Sequence, residues 1–354
     1  MKKRIILLVL LGLFSVSTAM ASTLVVEQIT QPLSGLAPEG ATRIPFSKVR
    51  FRAQDGKVAL YGVYVEKTGM AGQVFSGVAL LRNGVQMGTT VTSFGADNRA
   101  MLMADSPFEI ADGSSYDLTV VGNMRDDLSG DDGKTIGIAI VGVWTTATVQ
   151  GFVLIEGTHR TASSDYVIGA VNATAGEDNP SAGSTAYPGE TKIFSSVSLI
   201  ASSVEDEVLK SVMVKASGNA TKSDYNSVVL LVGGTNYPMT VLPDGRYYAG
   251  GINKTITNTA KTKVSISANV VGGVGKTIAF DIVESTDVEL AGAITGFGTT
   301  PIGSGPSFGS FPWFKGTTTS IVQAPTPPPP LPPPTAKQRK AAAMTAIRSL
   351  LQDK

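Results

Sequence analysis

The stretch Gly133-Lys134-Thr135-Ile136-Gly137-Ile138-Ala139-Ile140 returns 142 residues later as Gly275-Lys276-Thr277-Ile278-Ala279-Phe280-Asp281-Ile282. Ile136, Ile138 and Ile140 map onto Ile278, Phe280 and Ile282, so both copies place an apolar side chain at every second position. Side chains of an extended chain alternate between two faces, and this pattern is that of a strand with one face against a core.

Working outward, three more blocks recur in the same order. Phe46 to Ala53 matches Phe194 to Ala201, Val63-Tyr64-Val65 matches Val212-Met213-Val214, and Val78-Ala79-Leu80-Leu81 matches Val228-Val229-Leu230-Leu231. Four ordered blocks with small differences in spacing read as two copies of one domain, the length differences falling in loops. Asn83-Gly84 is a two-residue hairpin signal, replaced by Gly233-Gly234 in the second copy, and Asp112-Gly113 and Asp244-Gly245 supply further turns. Segments of helical period are absent between residues 22 and 335. Without helices to carry parallel crossovers, the strands are expected to pair antiparallel.

The expected fold class is all-β: two tandem antiparallel Ig-like β-sandwiches with a Pro-rich linker and a short C-terminal helix. Period alone does not set strand order, so a jelly roll is the alternative to the Ig-like Greek key. The expected organisation is a signal peptide at 1–21, sandwich copies at 22–152 and 165–300, linkers at 153–164 and 301–335, and a basic amphipathic helix at 336–354.

The flanks carry the targeting and charge signals. Met1-Lys2-Lys3-Arg4, the apolar run Ile5 to Phe14 and the close on Ala19-Met20-Ala21 have the three parts of a cleaved export signal. The polar Ser15, Ser17 and Thr18 end the apolar run too early for a membrane span, and no membrane span is expected in the mature chain. Loss of Lys2, Lys3 and Arg4 takes the formal net charge from +1 to −2. The tail from Ala336 to Lys354 carries five cations against Asp353, a net of +4, which leaves −6 on residues 22–335. An acidic body repels phosphate backbones, so no nucleic-acid partner is expected. Pro325 to Pro334 reads as an extended polyproline spacer, and Met344, Ile347, Leu350 and Leu351 form an apolar stripe on the helix after it.

Composition excludes much chemistry. Among 354 residues there is no Cys and one His, His159, so thiolate metal sites, cysteine nucleophiles, His-based triads and zinc or haem sites lack their groups. The chain is read as a non-enzyme. The densest acidic loop is Asp126-Asp127-Leu128-Ser129-Gly130-Asp131-Asp132-Gly133. Calcium takes six to eight oxygens, and clustered carboxylates with a glycine turn supply several, so Asp126, Asp127, Asp131 and Asp132 are the candidate calcium ligands. No other cofactor is expected.

The export signal, the tandem Thr/Val/Gly-rich copies with their Gly-Lys-Thr-Ile strand and the Pro-rich spacer together resemble bacterial cell-surface or surface-layer-type proteins built from Ig-like modules. The resemblance covers residues 23 to about 300 in style. It implies an extracellular or cell-surface scaffold, with an adhesin or glycan-binding module acting through sandwich-end loops as the alternative. The partners it implies are a cell-envelope component, another surface protein or a second copy of the chain.

Overall fold

The computed structural model describes residues 22–325 and 335–352, apart from 71 and 152. The leader read at 1–21, nearly all of the proline run and the last two residues of the tail lie outside the described residues.

The first eleven strands are β1 (Thr23–Gln28), β2 (Leu36–Pro38), β3 (Ile44–Gln54), β4 (Val58–Gly69), β5 (Phe75–Arg82), β6 (Val85–Gln86), β7 (Arg99–Ile110), β8 (Ser115–Met124), β9 (Thr135–Thr145), β10 (Thr148–Gly151) and β11 (Arg160–Ser163). They form two sheets, ordered β10-β1-β3-β8-β5-β6 and β2-β11-β9-β4-β7. The next set is β12 (Val171–Ala175), β13 (Thr185–Ala186), β14 (Thr191–Ala201), β15 (Glu207–Gly218), β16 (Tyr225–Val232), β17 (Thr235–Pro238), β18 (Thr240–Val241), β19 (Tyr247–Ile256), β20 (Thr262–Val270), β21 (Thr277–Asp281), β22 (Val288–Gly292), β23 (Gly298–Thr299), β24 (Pro301–Ser304) and β25 (Thr319–Ile321). Their sheets run β17-β16-β20-β14-β12-β24 and β13-β25-β21-β15-β19-β18, with β22 also on β15 and β23 on β22. The order of the shared strands repeats between copies, and the second adds β18, β22 and β23. In each, the chain switches sheet at every connection between the long strands.

The chain is thus all-β, two sandwiches, each around its own core. The long strands pair antiparallel as expected, but each sandwich also has two parallel pairs, β1–β10 and β2–β11 in the first and β12–β24 and β13–β25 in the second. Phe46, Val49 and Phe51 fill one core, and Phe194, Val197 and Leu199 take the same places in the other. Ile138 and Phe280 are both fully buried. Phe280 meets the rings of Phe194, Tyr225 and Tyr247 at centroid distances of 6.0, 5.8 and 5.7 Å. Burying a side chain of this size contributes about 1.5–3 kcal/mol.

The repeated Gly-Lys start of the strand motif has a backbone reason. Gly133 (φ +72°) and Gly275 (φ +87°) occupy the left-handed region, which favours glycine. Gly133 N donates to Ala162 O and Ala162 N to Lys134 O. Gly275 N and Lys276 O make the same two bonds with Ile321. The motif therefore fastens a returning strand, β11 or β25, onto the sheet.

Those returning strands correct both linker boundaries. The linker placed at 153–164 contains β11, which pairs with β2 and β9. The linker placed at 301–335 begins with β24 on β12 and β25 on β13 and β21. Trp313 and Phe314 lie in the second core, while Phe311 stays exposed. Strands of three or four residues are too short to show an alternating pattern, and here they sit among Gly, Ser and Thr.

Helix α1 (Ala336–Gln352) forms as expected. Its start is a capping box in which Gln338 N donates to Thr335 Oγ1 and Thr335 N donates to Gln338 Oε1. Met344 of the apolar stripe is exposed. Among the described residues no helix is long and apolar enough to cross a membrane.

Candidate functional site

The copies differ in length where they meet. Strand β9 runs unbroken along β4, from the Leu60–Thr145 pair to Gly69–Ile136. Its counterpart along β15 is split into β21 and β22. Three extra residues separate Phe280 from Val288 relative to the spacing of Ile138 and Val143. They form a short 3-10 turn, Ser285–Asp287, closed by a capping box between Glu284 and Asp287.

That turn reaches the first sandwich. Glu284 accepts from Gln86 Nε2 at 2.8 Å, Thr90 N at 2.9 Å and Thr90 Oγ1 at 2.7 Å. Arg43 of the first sandwich donates to Thr286 O at 2.6 Å and lies 3.5 Å from Glu289. Arg246, at the start of β19, donates to Gln86 O at 2.9 Å. It also pairs with Asp244 of its own turn at 2.6 Å and with Asp105 of the first sandwich at 3.6 Å. Thr42 N donates to Gly298 O, a main-chain bridge at the edge of the same contact.

Two of the charged groups are buried. The Arg246 side chain is 6% exposed and that of Asp287 1%. Burial pushes the Asp287 carboxyl up to about 7, against the pull of Arg246, whose Nη1 is 4.0 Å from Oδ1. Burial likewise raises Asp105. Arg43 Nε, Gln86 Oε1 and Asp287 Oδ1 are buried without a hydrogen-bond partner. A pair of this kind adds little net stability over an apolar contact, but loss of one member strands the other. Such a junction fixes one relative placement of the sandwiches.

Beside it lies a cleft of about 560 Å³. Arg82, Met87, Phe108 and Tyr116 line it from the first sandwich, and Leu242 and Pro243 from the second. The Arg82 guanidinium stands 4.5 Å from the ring centres of both Phe108 and Tyr116.

A second buried acid sits near the inter-copy chain. Glu207 is fully buried with both carboxylate oxygens unpartnered, and burial followed by the Glu205 charge pushes it up to about 8. Burial of Glu205 works the other way from its hydrogen bonds to Thr295, Ile294 and Gly169, and the bonds win, holding it low.

The acidic loop from Asp126 to Asp132 uses its carboxylates locally. Asp127 accepts from the Ser129 amide and hydroxyl, which holds it below the usual range. Asp131 accepts from Gly72 N and Lys134 Nζ and is lowered by them. Asp132 accepts from Ser164 N, and Asp126 is exposed. Among the described residues no three His, Cys, Asp or Glu side chains gather as a metal-holding group. His159 lies on the surface, with Nε2 3.4 Å from Thr68 Oγ1. Nothing in the composition of the junction residues marks them as buried. One signal existed: Asp97-Asn98-Arg99 and Asp244-Gly245-Arg246 recur at the spacing of the other blocks.

No family model matches the chain, and no curated protein matches it. Among solved structures, fibronectin(III)-like modules of Clostridium thermocellum CbhA align over 84% of this chain and 94% of theirs, at 11% identity and a TM-score of 0.18. A 1.5-MDa bacterial ice-binding adhesin aligns over 85% of this chain and 66% of its own, at 14% identity and TM-score 0.17. The collagen binding domain of Erysipelothrix rhusiopathiae surface protein RspB aligns over 83% and 93%, at 12% identity and TM-score 0.17. At such scores the alignments carry no argument, and the reading of this chain rests on its own residues.

Proposed function

We propose that this chain is an exported, non-enzymatic structural or interaction protein of the cell surface. Its two sandwiches act as one spacer of fixed geometry, and its partner is an envelope component or another surface molecule. The junction carries this reading. Arg246, Arg43, Glu284 and Asp287 place charge in a buried contact whose geometry tolerates little drift, which suits a part that transmits position. The leader read at Met1 to Ala21 supports export. Small-angle scattering of the mature protein tests it. A single rigid arrangement is expected, loosening on Glu284→Ala with Arg246→Ala. A freely hinged pair in the wild type would defeat the reading.

The cleft favours a second reading, an adhesin that takes a ligand between the sandwiches. Arg82 stacked over Phe108 and Tyr116 beside Pro243 offers a cationic, aromatic wall to a sugar or an extended peptide. Saturable binding in a glycan and peptide screen, lost in Arg82→Ala, would establish it.

A further inference from the structure

The contact that joins the sandwiches has two halves, and the repeat supplies a second, uncovered version of each. The first half is the outward face of β15, β19 and β22. There Ser211 pairs with Gly250 and Glu289, and Met213 pairs with Tyr248. Arg43 lies against this face, and Ser211 and Met213 are 3% and 2% exposed. The matching face of the first sandwich lies on β4, β7 and β9. Gly62 there pairs with Met103 and Trp144, and Tyr64 with Met101 and Gly142. It is open: Tyr64 is 40% exposed, Met103 49% and Trp144 38%. Tyr61 and Trp144 stack on it with centroids 5.1 Å apart.

The docking turn is duplicated with it. In Asp244-Gly245-Arg246, Arg246 N donates to Asp244 Oδ1 and Leu242 N to Arg246 O, with Gly245 at φ +89°. In Asp97-Asn98-Arg99, Arg99 N donates to Asp97 Oδ1 and Gly95 N to Arg99 O, with Asn98 at φ +60°. Arg246 reaches across to the Gln86 carbonyl, whereas Arg99 stays on its own sandwich beside Glu66, more than half exposed.

The other half of the contact is the hairpin β5–β6. Gln86, opposite Leu81, is 2% exposed. Ala79, Leu81 and Val121 alternate with the core residues Val78, Leu80 and Val120, so they face outward, yet they are buried as a separate cluster. In the second sandwich the hairpin β16–β17 places Asn236 opposite Leu231, and Asn236 is exposed with Val229 and Leu231 half-exposed.

We infer that a second copy of this chain covers these surfaces. The hairpin β16–β17 of one molecule seats on the β4–β7–β9 face of the next, with Arg99 taking the Asn236 carbonyl as Arg246 takes that of Gln86. The occupant follows from continuity: each open surface is the repeat counterpart of a surface already buried within the chain. Such a contact joins two different patches, so it adds molecules head to tail and does not close at a dimer. Trp144 stands where the junction has Glu289, and the three-residue acidic turn is missing, so the contact between molecules is more apolar than the one within them. The inference extends the spacer reading to a self-assembling one.

Sedimentation velocity of the mature chain from about 1 to about 100 μM tests it, a range that spans contacts of moderate affinity. The wild type should grow stepwise beyond the dimer. Tyr64→Asp with Trp144→Asp on one surface, or Leu231→Asp on the other, should each weaken association at least about tenfold, with melting unchanged. Mixing the two variants should give a 1:1 dimer that grows no further, since each retains the surface the other lacks. If Leu231→Asp lowers melting, Asn236→Arg, on the exposed hairpin and facing Arg99, takes its place. A wild type that stays monomeric throughout overturns the inference, as does association indifferent to both variants or a mixture that forms no dimer. The rigidity of the two-sandwich unit is read separately, from scattering of the Tyr64→Asp, Trp144→Asp variant, which lacks one of the two assembling surfaces, so failure of either reading leaves the other standing.

Discussion

Arg99 and Arg246 hold the same place in the two sandwiches, one residue past a left-handed turn position, yet the first side chain is 55% exposed and the second 6%. Their removal should therefore differ in effect. Arg246→Ala strands Asp244, Asp287 and Asp105 and is expected to cost ~3–5 kcal/mol, whereas Arg99→Ala releases only Glu66 and should cost about 0–1 kcal/mol. Urea unfolding of the two variants gives the comparison, and equal losses would remove the junction from the account.

The pH profile follows from two acids held high. Glu207 at about 8 and Asp287 at about 7 lie above their unfolded values because burial disfavours the charge. Each contributes stability that is fully present below about pH 4 and is lost as pH rises through its folded value. In the opposite sense, Asp224 is held down to about 2, first by its bond to Lys276 and then by Thr221. Its contribution is present near neutrality and is lost as the pH falls through that value. The melting temperature should drop between about pH 5 and pH 9, and Glu207→Gln should flatten that limb. A profile unchanged by Glu207→Gln would mean that this carboxyl does not set it.

Domain limits can be checked by excision. A fragment of residues 165–325 keeps β24, β25, Trp313 and Phe314, and should fold with a cooperative transition by circular dichroism. A fragment ending at residue 300 loses two sheet strands and two buried aromatics, and should not. Folding of both to the same melting point would show that residues 301–321 are dispensable.

Ile138→Asp and Phe280→Asp each place a charge in a closed core, and each is expected to cost at least ~3 kcal/mol. Thermal unfolding of the full chain measures the loss. Wild-type melting of either variant would contradict the burial of that position.

Calcium at millimolar levels should leave the melting temperature unchanged within about 1 °C, since only ligands that bind the native state preferentially shift it. Asp127, Asp131 and Asp132 already accept bonds from Ser129, Gly72 and Ser164. A larger rise, abolished by Asp131→Asn, would assign the loop to the ion after all.

The alternation Ile136-Ile138-Ile140 and its repeat in Ile278-Phe280-Ile282 made the sandwiches legible, because burying one face of a strand leaves a period of two in the chain. The same rule fails for β24 and β25, whose four and three residues span no full period. Glu284-Ser285-Thr286-Asp287 was illegible for another reason. Its composition is that of a solvated turn, and only the fold reveals that Asp287 is 1% exposed. In the acidic loop the sequence shows the density of carboxylates but not the bonds that Asp127, Asp131 and Asp132 accept from Ser129, Gly72 and Ser164.

The three-residue insertion before β22 also gives the tandem a direction. A sandwich that carries it offers Glu284 to the neighbour on its N-terminal side, and a sandwich without it, like the first, has no such group to offer. The order of the two copies is therefore not exchangeable: with the second placed first, its acidic turn would face no neighbour, and the copy behind it would dock without one. A sandwich without the insertion can follow only through its bare β4–β7–β9 face and without the Glu284 bonds, so this small length difference decides which contacts in a row are made through charge and which through apolar surface.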